Sequence, residues 1–191
     1  PADYRAAIAP VWEKYGLFPT GGWRARFAKG NTELAMLFVY ACMDDYCLPH
    51  GKLSFVITQS VFQSKDAGRG FRRFRISSEK PIRVLKAHDF TAIQPFEGAV
   101  NRTAVVTIDM QGETHYPLPY TVWAAKGDDL FDSSTPLEQV KRRTSREEKM
   151  AAPVGDAQSP WSIMGTAASL SVLRKVTKGL KNYRAWKGAD T

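Results

Sequence analysis

The chain has 191 residues, 43% of them hydrophobic and 12% aromatic, which is enough apolar material for one folded domain or one domain with a small appendage, and too much for an extended solvated chain. A formal net charge of +8 and a pI near 9.6 favour a polyanionic partner. No apolar run within these residues approaches 18 and no basic-then-apolar pattern stands at Pro1, so the expectation is a soluble, cytoplasmic protein with no membrane partner.

In chain order, the first element expected is a helix over residues 3–15, with Ile8, Val11, Trp12 and Tyr15 on one face and Gly16 as its stop. Pro10 leaves open a shorter helix that carries it in the first turn. Residues 17–30 read as a loop broken by Pro19-Thr-Gly-Gly22 and Lys29-Gly30. A stronger helix follows, capped by Asn31 or Thr32, with Leu34, Leu37, Phe38, Ala41, Cys42 and Asp45 at the 3.6-residue period. Cys42 and Cys47 lie on different faces of that helix, which argues against a disulfide or a shared metal, and the three histidines have no ligand spacing. No metal site is expected.

Lys52 to Thr58 reads as an inner strand and Ser64 to Ile76 as a short basic helix. Strands are expected again over residues 82–88 and 100–110, with Gln111-Gly-Glu113 as a turn. Thr114 to Ala125 is a further strand that Pro117 and Pro119 consign to a sheet edge. Residues 126–160 hold few large apolar side chains and read as a linker, the run from Lys141 to Lys149 being either linker or exposed helix. A small unit then occupies 161–191, with a helix from Ser169 to Leu180.

The basic charge is concentrated in two places. Lys65 to Lys86 holds eight basic residues against Asp66 and Glu79, and Arg174 to Lys187 holds six with no acid, both interleaved with aromatics. Either stretch alone reads as a solvated face; together they point to phosphate contact, with Arg69, Arg72, Arg73, Lys181 and Arg184 as the candidates.

Three segments carry a family resemblance: Thr32-Glu-Leu-Ala-Met-Leu-Phe-Val-Tyr-Ala41, the glycine-led Gly51-Lys-Leu-Ser-Phe-Val-Ile-Thr-Gln-Ser60, and Phe90 to Ile108 with its loop Gln94-Pro-Phe-Glu-Gly-Ala-Val-Asn-Arg-Thr103. In this order they resemble the second half of the catalytic domain of amino-group DNA methyltransferases, the N6-adenine family of restriction-modification systems. The terminal Tyr183, Ala185, Gly188 and Thr191 are similar to the Tyr-x-Ala-x-x-Gly-x-x-Thr pattern that opens the target-recognition region of fused enzymes of this kind.

The resemblance implies an α/β fold, the carboxyl-terminal half of a Rossmann-like methyltransferase sheet over residues 1–125, followed by the linker and the start of a target-recognition region. It implies S-adenosylmethionine as cofactor, bordered by Leu37 and Phe38, and Phe96 stacked on an adenine flipped out of double-stranded DNA. The bland readings beside these are an apolar helix stripe in the core for Leu37 and Phe38, and a core plug beneath a turn for Phe96.

The Asn-Pro-Pro-Tyr acceptor motif and the glycine-rich cofactor loop of the family are not among these residues, so the expectation is a fragment, inactive alone, whose partner is the missing amino-terminal half. Two other readings stay open, a non-enzymatic basic DNA-binding or specificity module and a methyltransferase acting on RNA or protein. Thr58-Gln59-Ser60 departs from the family's Pro-Asn-Ser type loop, which leaves Gln59 without an assigned role.

Overall fold

The computed structural model describes residues 2–18, 34–65, 67–93, 95–96, 101–127, 131–132 and 134–178. Helical periodicity becomes structure at both expected places near the amino terminus. Helix α1 spans Ala2–Lys14 and runs on through Pro10, while α2 spans Leu34–Asp45. Trp12 from the first, Tyr15 and Leu17 just after it, and Met36, Val39, Tyr40 and Met43 from the second, are buried in one core.

The strands are β1 (Lys52–Thr58), β2 (Arg83–Ala92), β3 (Thr103–Asp109), β4 (Leu118–Ala125), β5 (Thr144–Pro153) and β6 (Trp161–Met164). They form one sheet in the order β1-β3-β2-β4-β5-β6. Every pairing is antiparallel except β2 with β4. Because β3 is antiparallel to both of its neighbours, β1 and β2 point the same way with β3 between them. The fold is therefore α/β with a six-stranded mixed sheet, compatible with a Rossmann-like architecture.

Register assigns the faces. Ile57 opposes Ala104, Phe55 opposes Val106, and Val106 and Tyr120 both oppose Ala87, so these side chains share the face that carries the main core. Short helix α3 (Ser60–Gln63) and the 3₁₀ turn Phe71–Arg73 close that face with aromatic rings. Phe62 stacks on Trp161 at 4.5 Å, Phe71 meets Tyr40 and Phe74 edge-on, and the Tyr40 hydroxyl donates to the Phe71 carbonyl at 2.7 Å. Helix α4 (Leu137–Arg143) precedes β5. Helix α5 (Ala167–Lys178) lies on the opposite face, where Leu170 packs with Ala152 and Met164.

Four expectations are corrected here. The segment from Ser64 to Ile76 is not a helix, because a Cβ at Gly68 would collide with the Val61 carbonyl and one at Gly70 with that of Leu17, so the chain threads a gap that only glycine passes. Phe74, with φ 44°, then ends the single 3₁₀ turn. Strand β4 is central rather than at the edge. Its pairing with β2 starts at Tyr120, so Pro119 removes no bond on that side.

Residues 144–153, expected within a linker, are strand β5, paired with β4 along Leu118–Ala125. Only Met150–Pro153 has β6 on its other side, and the exposed Ser145 to Glu148 sit where β5 has a single neighbour, the position where charge protects a strand. Trp161 to Met164 joins the same sheet rather than opening a separate unit. No helix among the described residues is long and apolar enough to cross a membrane.

Candidate functional site

The last residue of β1, Thr58, pairs with Thr103 at the start of β3, and β2 ends at Ala92 beside Ala124 near the end of β4. The turn after β1 and the segment that joins β2 to β3 thus leave the sheet from one edge, the carboxyl edge of β1, β2 and β4. Ligands of open α/β sheets are taken up at such edges. The two loops are also tied together, since the Gln59 backbone N–H donates to the Arg102 carbonyl at 2.8 Å.

Phe96 stands in the joining segment, half-exposed at 51%. It is not a core plug. Residues 97–100, which complete its loop, lie outside the described residues.

Beneath these loops a polar chain is buried in an otherwise apolar sheet. The Tyr120 hydroxyl donates to Asp89 Oδ2 at 2.7 Å, and Gln59 Nε2 donates to the Tyr120 oxygen at 3.4 Å. Asp89 Oδ1 accepts the Thr91 N–H at 2.9 Å. Burial, and then the bond to Asp89, raise the Tyr120 phenol far above its ordinary range, so it stays protonated. Gln59 Oε1 is buried with no hydrogen-bond partner among the described residues. Asp89 lies just past the strand expected over residues 82–88 and Tyr120 in a strand expected at an edge, so no pattern in the sequence links the two.

The cofactor pair divides. Leu37 is buried in the core at 7% exposure, whereas Phe38, its neighbour on α2, is half-exposed at 50%. Of the two, only Phe38 is open to solvent.

The phosphate candidates also divide. Arg72 is 1% exposed, and its guanidinium donates to the carbonyls of Val61, Ser64 at 2.7 Å and Gln158 at 3.0 Å. Burial lowers its pKa to about 10. Arg73 Nη2 donates to the Tyr15 and Arg75 carbonyls at 2.7 and 3.2 Å. Both side chains are turned inward, which corrects the expectation that they reach phosphates: the backbone carbonyls of Val61, Ser64, Gln158, Tyr15 and Arg75 take their donors first. Arg69 is partly exposed and pairs with Asp156 at 2.9 Å. Arg75, Lys80, Arg83 and Lys86 face Glu113, Asp44, Asp109 and Glu148, so this basic stretch is largely neutralised within the fold. Lys181 and Arg184 lie outside the described residues.

The opposite sheet face carries a second ring cluster. Trp123 Nε1 donates to His88 Nδ1 at 3.0 Å, Phe90 packs against both rings, and the Arg146 guanidinium lies 5.2 Å from the Trp123 ring centre. Burial, with Lys86 nearby, lowers the His88 pKa, against a smaller opposing pull from Glu148.

Comparison with protein-family models and with curated proteins gives no match.

Proposed function

We propose that this chain forms the base-facing part of an S-adenosylmethionine-dependent DNA methyltransferase acting on N6 of adenine, within an intracellular restriction-modification system. The observation that carries the reading is the half-exposed Phe96 ring on a loop rooted at the carboxyl edge of the sheet. A ring so placed offers a π face to a base extruded from the duplex, an interaction worth about 1–3 kcal/mol. Phe38 supports the cofactor assignment because its ring is free to border an adenine, while Leu37 does not fit a contact role and backs the helix from within the core. S-adenosylmethionine, when bound, supplies the methyl group. Arg69 on the described surface, with Lys181 and Arg184 from the carboxyl-terminal segment, would hold phosphates of the duplex.

The test compares a fully paired duplex with one in which adenine lies opposite an abasic site, where extrusion costs least. Fluorescence anisotropy should show the wild-type chain preferring the second by roughly tenfold or more, and Phe96→Ala losing that preference at an unchanged melting temperature. Equal affinities for the two duplexes in the wild type sink the proposal and leave a basic DNA-binding module as the better reading.

A further inference from the structure

The rings on the far side of the sheet belong to neither core cluster. His88 and Phe90 alternate along β2 and so share one face, and Trp123 on β4 joins them there. Ring centres lie 6.2 Å apart from His88 to Phe90, 5.5 Å from Phe90 to Trp123 and 6.0 Å from Trp123 to His88, so the three make one patch. All three are partly exposed, which leaves large apolar surface in water on a folded chain. The bond from Trp123 Nε1 to His88 Nδ1 at 3.0 Å restrains both rings. With burial lowering the His88 pKa, that bond leaves the histidine proton on Nε2, for which no acceptor stands among the described residues.

Uncompensated positive charge lies beside this patch. Trp123 opposes Arg146 in the β4–β5 register, and the Arg146 guanidinium lies 5.2 Å from the indole centre. Where the same strand pair ends, the Lys126 N–H donates to the Arg143 carbonyl at 2.9 Å and Lys126 Nζ to that of Arg142 at 3.1 Å. The neighbouring acids are matched, since Glu138 faces Lys141, Glu147 faces Lys149 and Glu148 faces Lys86. Arg142 and Arg146 are exposed and have no carboxylate partner among the described residues.

An occupant of this face must offer flat rings to His88 and Phe90 and negative charge to the arginines. A single strand of nucleic acid brings both, because its bases are unpaired; a duplex keeps its base faces covered and meets only the cations. An acidic peptide would likewise use the charge and leave the rings idle. We infer that the sheet face around Phe90, His88, Trp123 and Arg146 is a contact surface for single-stranded nucleic acid. Bases stack on the rings and on the Arg146 guanidinium, and Arg142 and Lys126 meet the phosphates. The inference goes beyond the base-extrusion reading above and stands without it, since it uses neither Phe96 nor Phe38.

Fluorescence anisotropy is measured on end-labelled strands of about ten nucleotides: thymidylate, uridylate, an abasic strand with the same phosphates, and a paired duplex. The wild-type chain should bind a base-bearing strand about tenfold or more tighter than the abasic one, and the tighter of the two names DNA or RNA as the source. Phe90→Leu, which keeps apolar volume and removes the π face, should bring that preference close to parity while its melting temperature and duplex affinity stay unchanged. Arg146→Ala should weaken the abasic strand as well and reduce the salt slope by roughly 0.7. No binding of either base-bearing strand, or equal affinity for base-bearing and abasic strands in the wild type, overturns the inference. So does a parallel loss of duplex affinity in Phe90→Leu. A preference that survives in Phe90→Leu but is lost in Phe96→Ala assigns the stacking to the Phe96 loop, which overturns this inference and leaves the base-extrusion reading standing. Should Phe90→Leu not fold, Arg146→Ala at its exposed position carries the test, and an unchanged salt slope overturns the inference.

Discussion

Replacing Arg72 tests whether its charge serves the fold or a ligand. Arg72 is 1% exposed and its guanidinium ties its own turn to two other pieces of chain, α3 and its carboxyl-terminal cap through the carbonyls of Val61 and Ser64 and the segment before β6 through that of Gln158. Each charge-assisted bond is worth about 1.5–3 kcal/mol net, and the sum is reduced by the several kcal/mol that it costs to bury the cation. Removing the side chain also strands buried carbonyls and opens a cavity, so Arg72→Met should lose about 3–5 kcal/mol. Arg72→Lys keeps the charge but loses the planar fork that reaches three acceptors, and should lose somewhat less. Urea denaturation followed by far-ultraviolet circular dichroism measures both. If Arg72→Met lies within about 1 kcal/mol of wild type, an effect usual for surface positions, while duplex affinity drops, the inward placement is wrong and Arg72 faces phosphate after all.

Three further outcomes are expected. Asp44 bridges Lys14 and Lys80, each at 2.7 Å, and these bonds hold its carboxyl below the usual range; its stabilisation is present above about pH 3.9 and lost as pH falls through the lower folded value, so Asp44→Asn should cost about 1 kcal/mol at neutral pH and melt like wild type in strong acid. For His88 the folded pKa lies below the unfolded one, so the unfolded state takes up a proton first and stability should decline as pH drops through about 6.5, levelling below the folded value; a wild-type melting temperature that tracks His88→Gln from pH 7.5 to 5.5, pH values on the order of one unit either side of the reference, would count against it. In salt titrations of duplex binding, Arg69→Ala should reduce the slope by about one unit and Arg73→Ala should leave it unchanged; equal effects from both would contradict the inward placement of Arg73.

What the sequence disclosed follows a physical division. Helices α1 and α2 and the extent of strand β1 were legible because one-sided burial leaves a period in the residues, but β1, expected as an inner strand from Lys52 to Thr58, takes those bounds at the edge of the sheet, with β3 its one neighbour among the described strands. Strand β5 was not, since an edge-facing strand keeps charge and Arg146 to Lys149 looks like a solvated run. Pro119 argued against a central β4, and only the register with β2 reveals why it is tolerated. At the candidate site, Phe96 was found as an aromatic in a loop between strands. The Asp89–Tyr120–Gln59 chain was hidden because its members come from β2, β4 and the end of β1, and only tertiary pairing brings them together. Arg72 and Arg73 show the converse: composition counts cations without telling which are spent on backbone carbonyls.

The place of β3 between β1 and β2 sets an order of events as the chain leaves the ribosome. Lys52 to Thr58 emerges first, then Arg83 to Ala92, and neither is the other's neighbour in the finished sheet. Both wait for Thr103 to Asp109, because Lys52 ends opposite Asp109 and Val84 opposite Ile108. Pairings so distant in sequence are slow, since the loop must close before any contact rewards it. During that interval Phe55 and Ile57 stand uncovered on a strand with two open sides. Mutations that weaken β3 should therefore show themselves first as a lower soluble yield during synthesis, before any change is seen in the melting of protein that has already folded.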